Sequence, residues 1–338
     1  MVMRLAFALL CAAAASQAAI FDFPTQNRAL IDGRPEDFYM YVERDFEGEK
    51  SLPWEGGQFG FVRGPRRDGG EIVCTHFHEG IDICPLRRDA AGNPLDDVLA
   101  AADGIVVHAS AAPGASNYGR YVVIEHQIEG SPYYTLYAHL ASVAVAPGQT
   151  IRQGEAIGRL GFTGAGIDRQ RAHLHFEVGM MYSRDFETWY QSHLGGSPNV
   201  HGLYHGHNLI GTDPSKVLLA AAKDPQFHLA AQIAAQEAVF KITVRNSPHL
   251  SLLRDYPWLV PAGEASSPPA WTISFTGFGL PVRAVACSDA VTEPRLEWVR
   301  DSAMSYAHAT KGLVAGPAGS PRFTEAGKRF ASLLTWPD

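Results

Sequence analysis

Two short segments, His78-Glu79-Gly80-Ile81-Asp82 and His173-Leu174-His175, carry side chains that can act together only if the fold brings them face to face. Two borderline-soft imidazoles and one hard carboxylate suit a divalent zinc ion, and three protein ligands leave a fourth position open for water. The first segment cannot then be a straight strand. At roughly 3.3 Å per residue, positions four apart in an extended chain lie about 13 Å apart, too far to share an ion. Gly80 allows the bend that closes the gap. The second segment obeys the opposite logic: His173 and His175 are two apart in a stretch, with Leu174, Phe176 and Val178, that reads as a strand, so both point to one face. One can bind the metal while its neighbour works beside it, and spacing alone does not choose between them.

The rest of the composition narrows the setting. A chain of 338 residues with 46% hydrophobic content is long enough for two domains, and its many glycines and prolines suggest a turn-rich, mainly β protein. The formal net charge of -7 argues against nucleic acid as a partner, because a phosphate backbone needs a Lys/Arg surface. Residues 1–18 read as a signal peptide: Arg4, then an apolar run from Leu5 to Ala15, then the small-residue site Ser16-Gln17-Ala18. The run is shorter than the ~20 residues a membrane span requires, and Leu10 before Cys11 speaks against lipid attachment at that cysteine. The protein is expected to be exported, periplasmic or secreted, with no stable membrane insertion after leader removal. In an oxidising compartment Cys74 and Cys84, which flank the His78 to Asp82 segment, are expected to form a disulfide that clamps it. Cys287 is left as a buried free thiol.

Taken in order, residues 19–52 form a polar and aromatic extension that either packs on the main domain or covers its active site. From Trp54 onward short runs cut by glycine, namely Phe59 to Val62, Val98 to His108, Tyr121 to Glu125 and Tyr133 to Leu136, point to antiparallel sheet. Asp103-Gly104 is a hairpin-type turn signal running into the β-branched Ile105-Val106-Val107.

The ordered series His-Glu-Gly-Ile-Asp-Ile (78–83), Ala-Ala-Asp-Gly-Ile-Val (101–106), Tyr-Gly-Arg-Tyr-Val-Val-Ile-Glu-His (118–126), Tyr-Ala-His-Leu (137–140), Gly-Glu-Ala-Ile-Gly (154–158) and His-Leu-His-Phe-Glu-Val (173–178) resembles the lysostaphin/LytM-type zinc endopeptidases. The likeness covers about half of the chain, from near Trp54 to near Leu219. It implies a twisted antiparallel β-sheet peptidase domain over 53–222 with one zinc ion per chain held by His78, Asp82 and His175. It also implies that His139 and His173 attend the metal-bound water and the transition state. His173 is the better general base and His139 the stabiliser of the oxyanion, though these roles could be exchanged. The substrate implied is the peptide cross-link of bacterial peptidoglycan. Two alternatives stand beside this. One is a non-catalytic wall-binding activator of another peptidoglycan hydrolase, a class that has typically lost zinc ligands this chain retains. The other is a wall-trimming zinc carboxypeptidase, whose first ligand pair would be more widely spaced.

Around 180–208 the sequence departs from the family pattern, as an inserted loop near the groove. Its His201, His205 and His207 are read as solvated loop histidines, with a second metal site as the rival. His76 could be an extra ligand, but it has no counterpart in the family motif. His108 and His126 are read as structural residues at strand ends. Glu79 is expected to point elsewhere, and Glu177 to face away from His175. Residues 223–338 are expected to form a smaller α+β accessory domain that either binds wall or a protein partner or simply supports the peptidase. Ala220 to Gln236 should be helical, 239–244, 271–276 and 282–286 should be strands, and Thr324 should cap a final helix.

Overall fold

Runs of β-branched and aromatic residues between glycine corners pair, as anticipated, into antiparallel sheets. The computed structural model describes residues 19–42, 45–68, 70–302 and 304–338, so the leader reading over 1–18, with Cys11, lies outside the described residues. A hairpin of β1 (Gly60–Asp68) and β2 (Glu71–His78) leads into β3 (Ile81–Ile83). The central sheet then takes β4 (Gly104–Ser110), β5 (Tyr121–Ile128), β6 (Ser131–Ala138), β7 (Thr150–Ile151), β8 (Leu174–Met181) and β9 (Leu209–Thr212). Its order is β7-β4-β5-β6-β8-β9, with β3 also paired to β8. The β5–β6 hairpin closes through Glu129 and Gly130, at φ 54° and 76°, the paired left-handed residues of a tight hairpin turn. Asp103-Gly104 does something different from a hairpin. It marks a change of sheet, because Asp97–Leu99 before it pairs with Ala156–Arg159 instead of with β4.

The central sheet is covered on both faces. On one, Val122, Ile124, Tyr137, Phe176 and Val178 belong to a hydrophobic cluster that takes in Phe21, Phe23 and Phe38 of the extension. The extension therefore packs on the domain; the Met40 amide donates to the Asp82 carbonyl at 2.8 Å, behind the strand that carries the carboxylate. Each fully buried phenylalanine there contributes about 1.5–3 kcal/mol. On the other face Tyr121, Val123, Tyr134, Leu136 and Ala138 form a second cluster, against which Leu203 and Tyr204 of the insertion pack. The insertion is more ordered than a loop: it contains helix α1 (Phe186–His193), whose Phe186, Trp189 and Tyr190 are buried.

After β9, the alanine-rich stretch forms α2 (Pro214–Lys223) and α3 (Leu229–Ala234), broken at Asp224-Pro225 because proline cannot continue a helix. A four-stranded antiparallel sheet follows, built from Phe240–Arg245, Ala270–Phe275, Pro281–Cys287 and a strand the sequence pattern did not reveal, Arg295–Val299. Thr324 caps the last helix, α4 (Glu325–Leu333), by accepting from the Gly327 amide. This α+β region does not have a core of its own. Its Phe240, Ile273, Phe275 and Leu333 belong to the same cluster as Phe176 and Val178. Polar ties cross the junction as well: the Met181 amide donates to the Tyr256 hydroxyl and the Tyr182 hydroxyl donates to the Gly279 carbonyl.

The disulfide expectation is not met. Among the described residues no disulfide joins Cys74, Cys84 or Cys287. Cys74 sits opposite Pro65 inside the β1–β2 hairpin, while the Cys84 thiol turns the other way and donates to the Asp37 carbonyl at 3.0 Å. Burial pushes the Cys84 thiol up to about 11. Cys287 is half-buried, not buried.

His126 and His108 lie within β5 and β4 and not at their ends. The buried His126 ring bridges the Asp103 carbonyl and the Thr135 hydroxyl, and burial pulls its pKa down to about 4. The folded state thus prefers the neutral ring, a contribution present above the unfolded pKa near 6.5 and lost as pH falls toward 4. The full loss amounts to about 3 kcal/mol. Urea unfolding at pH 7 and pH 4.5 should show a smaller acid penalty for His126→Gln than for the wild type, and equal penalties would contradict this. Deleting residues 19–42 should lower the melting temperature by 10 °C or more, on the order of several kcal/mol for three buried phenylalanines; an unchanged melting point would show that the extension is not part of the core.

Candidate metal centre

Asp82 on β3 lies directly opposite His175 on β8, and His175 is flanked on its other side by Ala138 at the end of β6. Residues opposite each other in an antiparallel pair share a face, so register alone sets the carboxylate beside the imidazole. His78 ends β2, and Gly80 carries the chain into β3. Glycine is needed there for space more than for conformational freedom: a Cβ at Gly80 would lie 2.5 Å from the Phe176 carbonyl oxygen and 3.0 Å from His175 Cε1.

Each ligand is aimed by a second bond. His78 donates through Nδ1 to the Gln58 carbonyl at 2.7 Å, which leaves Nε2 bare, 3.1 Å from Asp82 Oδ1. His175 donates through Nε2 to Glu177 Oε1 at 2.8 Å, which aims Nδ1 into the group, 3.1 Å from both His78 Nε2 and Asp82 Oδ1. The ligand atoms of His78, Asp82 and His175 all fall within 4.8 Å of one another, and all three residues are buried. Two imidazole lone pairs and a carboxylate converging in this way, each ring tied at its far nitrogen, fit a divalent metal of the zinc type.

Glu177 corrects the sequence expectation. Residues two apart on a strand share a face, so Glu177 points with His175, accepts from it, and accepts from the Tyr118 hydroxyl at 2.9 Å. Burial draws the His175 pKa down, but its bonds to Asp82 and Glu177 outweigh this and lift it to about 9. Burial would likewise raise the Asp82 carboxyl, yet the neighbouring His173 and His78 hold it well below the usual carboxylate range. Arg63, on β1, was not identified from sequence. Its guanidinium pairs with Asp82 Oδ2 and lies 3.3 Å from His78 Nε2. No motif marks it; only the hairpin geometry brings it here.

His139 and His173 stand beside this group with ring centroids 4.9 Å apart. His139 donates through Nδ1 to the Thr163 carbonyl at 2.8 Å, and His173 through Nδ1 to the Arg171 carbonyl at 2.7 Å. His173 Nε2 is 3.4 Å from Asp82 Oδ1. His139 holds a left-handed backbone at φ 64°, uncommon for a residue with a side chain and kept in place by its amide bond to the Tyr118 carbonyl. Burial, reinforced for His139 by His173 and His175, moves both rings down, so both are neutral near pH 7.

The other flagged residues lie apart. His76 is exposed and packs over Gly64 in the hairpin. Glu79 turns away to Lys311. His205 stacks on His207 and meets His201 edge-on, and His201 Nδ1 shares a hydrogen bond with the Tyr121 hydroxyl at 2.7 Å. His205 is half-buried, not solvated, and no grouping of these three meets the convergence seen for His78, Asp82 and His175 among the described residues.

Residues 76–185 match the family model for Peptidase family M23. Over these residues the chain is similar to the M23 peptidases. The matched stretch begins two residues before His78 and ends ten after His175, so it contains the whole constellation. Among curated relatives, the M23 region is 40% identical over 102 residues to a peptidoglycan DD-endopeptidase, ShyA, of Vibrio cholerae, covering 30% of this chain and 20% of that protein. It is 34% identical over 101 residues to the murein hydrolase activator NlpD of Escherichia coli, covering 30% and 22%. A solved zinc-containing peptidase from Vibrio cholerae is similar at 27% identity and a TM-score of 0.25, covering 42% of this chain and 36% of that one. The matched stretch is 18–29% of the curated relatives' own lengths. No helix among the described residues is long and apolar enough to cross a membrane.

Equilibrium dialysis against zinc should load one ion per chain in the wild type and none in His78→Ala or His175→Ala. Glu177→Gln should bind 10–100-fold more weakly, as expected when the partner of a ligating histidine is altered. Full-affinity binding by His175→Ala would place the metal elsewhere.

Proposed function

We propose that the chain is an exported zinc metalloendopeptidase that hydrolyses peptide bonds in bacterial peptidoglycan cross-links. The observation that carries this reading is the convergence of His78, Asp82 and His175 beside two buried, neutral histidines, each with its Nδ1–H held by a carbonyl and Nε2 kept as the basic nitrogen. The DD-endopeptidase among the relatives supports the substrate class, and the leader reading over residues 1–18 agrees with a substrate outside the cytoplasm.

His78, Asp82 and His175 would hold a zinc ion, which when bound would supply Lewis acidity toward water and the scissile carbonyl. The remaining work belongs to the chain. With Nδ1 of His173 committed to the Arg171 carbonyl, its Nε2 is the acceptor for the proton the attacking water sheds, and the same atom returns that proton to the leaving amine. His139 is fixed in the same tautomer by Thr163, so it donates to a developing oxyanion only once it has itself taken a proton. The exchange of roles left open by the sequence reduces to which ring is protonated first. Burial serves both, since it keeps each ring neutral and ready to accept.

The second reading, an activator of another wall hydrolase, draws on the similarity to NlpD. The intact donor set and both neutral histidines favour the enzyme. Digestion of purified peptidoglycan followed by mass analysis of the new ends decides between them. The zinc-loaded wild type should release new peptide ends alone, and His173→Ala should lower the rate by about 10²–10⁴-fold while binding zinc at the same stoichiometry. An activator would release none by itself and would speed a second hydrolase; undiminished cleavage by His173→Ala would remove that residue from the mechanism.

A further inference from the structure

Beside the metal centre, on the Glu177 side of His175, lies a cavity of about 460 Å³ whose walls come from three parts of the chain. Glu79, Tyr118 and Glu177 form the end next to the metal centre. Trp189 and Leu194 of the insertion form a second wall. Lys311, Arg329 and Phe330 of the C-terminal region form the third. The two regions that depart from the family pattern therefore meet in one pocket, within a residue or two of the metal ligands: Glu79 follows His78, and Glu177 is bonded to His175.

Its lining carries two carboxylates, Glu79 and Glu177, and two permanent cations, Lys311 and Arg329, and three of these four are engaged by close partners. Glu79 is matched by Lys311, whose Nζ lies 2.6 Å from Glu79 Oε1 and 4.7 Å from the centre of the Phe77 ring. Glu177 is occupied by the Tyr118 hydroxyl and His175. Arg329 remains. It projects from α4 with an exposed side chain, and the carboxylate one turn earlier on that helix, Glu325, feels its charge but is paired to Lys328 at 2.7 Å. Two histidines also line it: burial lowers the pKa of both, with His207 and His201 adding to this at His205 and Lys311 and Arg329 adding to it at His207. A pocket with an apolar body and, at its rim, one guanidinium with its fork not taken by a carboxylate among the described residues is suited to a short apolar group carrying a carboxylate, because a guanidinium fork matches a carboxylate with two parallel bonds.

We propose that this cavity is the subsite for one side of the scissile peptide, and that Arg329 of the C-terminal region selects peptides bearing a free carboxylate one or two residues from the cut bond. The proposal rests on the peptidase reading above and gives the C-terminal region a direct part in substrate choice. The carboxylate is either the peptide's own C-terminus or the side-chain carboxylate of a diacidic residue, and both present the same group to Arg329.

The test uses the full zinc-loaded chain and synthetic wall-type peptides matched in sequence, with the terminal carboxylate, the side-chain carboxylate, or both converted to carboxamide. The wild type should cleave one carboxylate form about fivefold or more faster than its carboxamide, mainly through KM, as suits a partly exposed charge pair. The arm that loses the preference names the source of the carboxylate. Arg329→Gln should flatten the preference toward unity and Arg329→Lys should retain part of it. An equal preference in Arg329→Gln, or none in the wild type, overturns the proposal. If no peptide is cut, the peptidase reading has failed separately, and calorimetric binding of the same peptide pairs to wild type and Arg329→Gln still decides the subsite.

Discussion

The pairing of Asp82 with His175 across two adjacent antiparallel strands is the constraint on which the site depends. Register fixes that pair, because a slip of one residue would turn every side chain of β8 to the opposite face. It would bury the imidazoles of His173 and His175 among the phenylalanines behind the sheet and leave Asp82 with only Arg63 and His78. The apolar residues Leu174, Phe176 and Val178 oppose such a slip, each fully buried on the far face. The hydrophobic pattern of the strand thus holds the polar chemistry in place on its other side. Gly80 completes the arrangement by letting the His78 to Asp82 bend lie against the backbone of β8.

Gathering two imidazoles and a carboxylate in a buried space is costly unless positive charge is supplied. In the protein by itself that charge comes from the Arg63 guanidinium against Asp82 and from a raised proton affinity at His175, both consequences of the same unpaired negative field. A divalent cation would meet that field more fully. The carbonyls of Gln58, Thr163 and Arg171 and the carboxylate of Glu177 each take one imidazole N–H, so the orientation of four rings is set by neighbours that take no part in binding the ion.

Much of the candidate site was legible in the sequence. The residue types and spacing of His78, Asp82, His173 and His175 predicted a shared face and a bend, and both are present. The bend was credited to glycine's freedom, whereas close approach to Phe176 and His175 is what excludes a side chain at Gly80. Glu177 was misplaced although the rule needed was already in use for His173 and His175: two apart on a strand means the same face. Arg63 had no local signal, because only the pairing of β1 with β2 carries it to Asp82. The expected bridge between Cys74 and Cys84 followed from compartment and spacing, but the hairpin turns one thiol away from the other. Three of the four strands of the C-terminal sheet and the Thr324 cap were readable from alternation and capping chemistry, whereas Arg295–Val299 was not. That this region shares the core of the peptidase was not, since a contact between distant segments leaves no periodicity behind.

The central claim is that one metal ion sits among two imidazoles and a carboxylate with no thiolate. Zinc K-edge X-ray absorption on the full chain loaded with one equivalent of zinc tests it most directly. The account predicts nitrogen and oxygen scatterers only, about 2.0–2.2 Å from the metal, with the outer-shell pattern of two imidazoles. A sulfur contribution near 2.3 Å, or the pattern of three or more imidazoles, would contradict it.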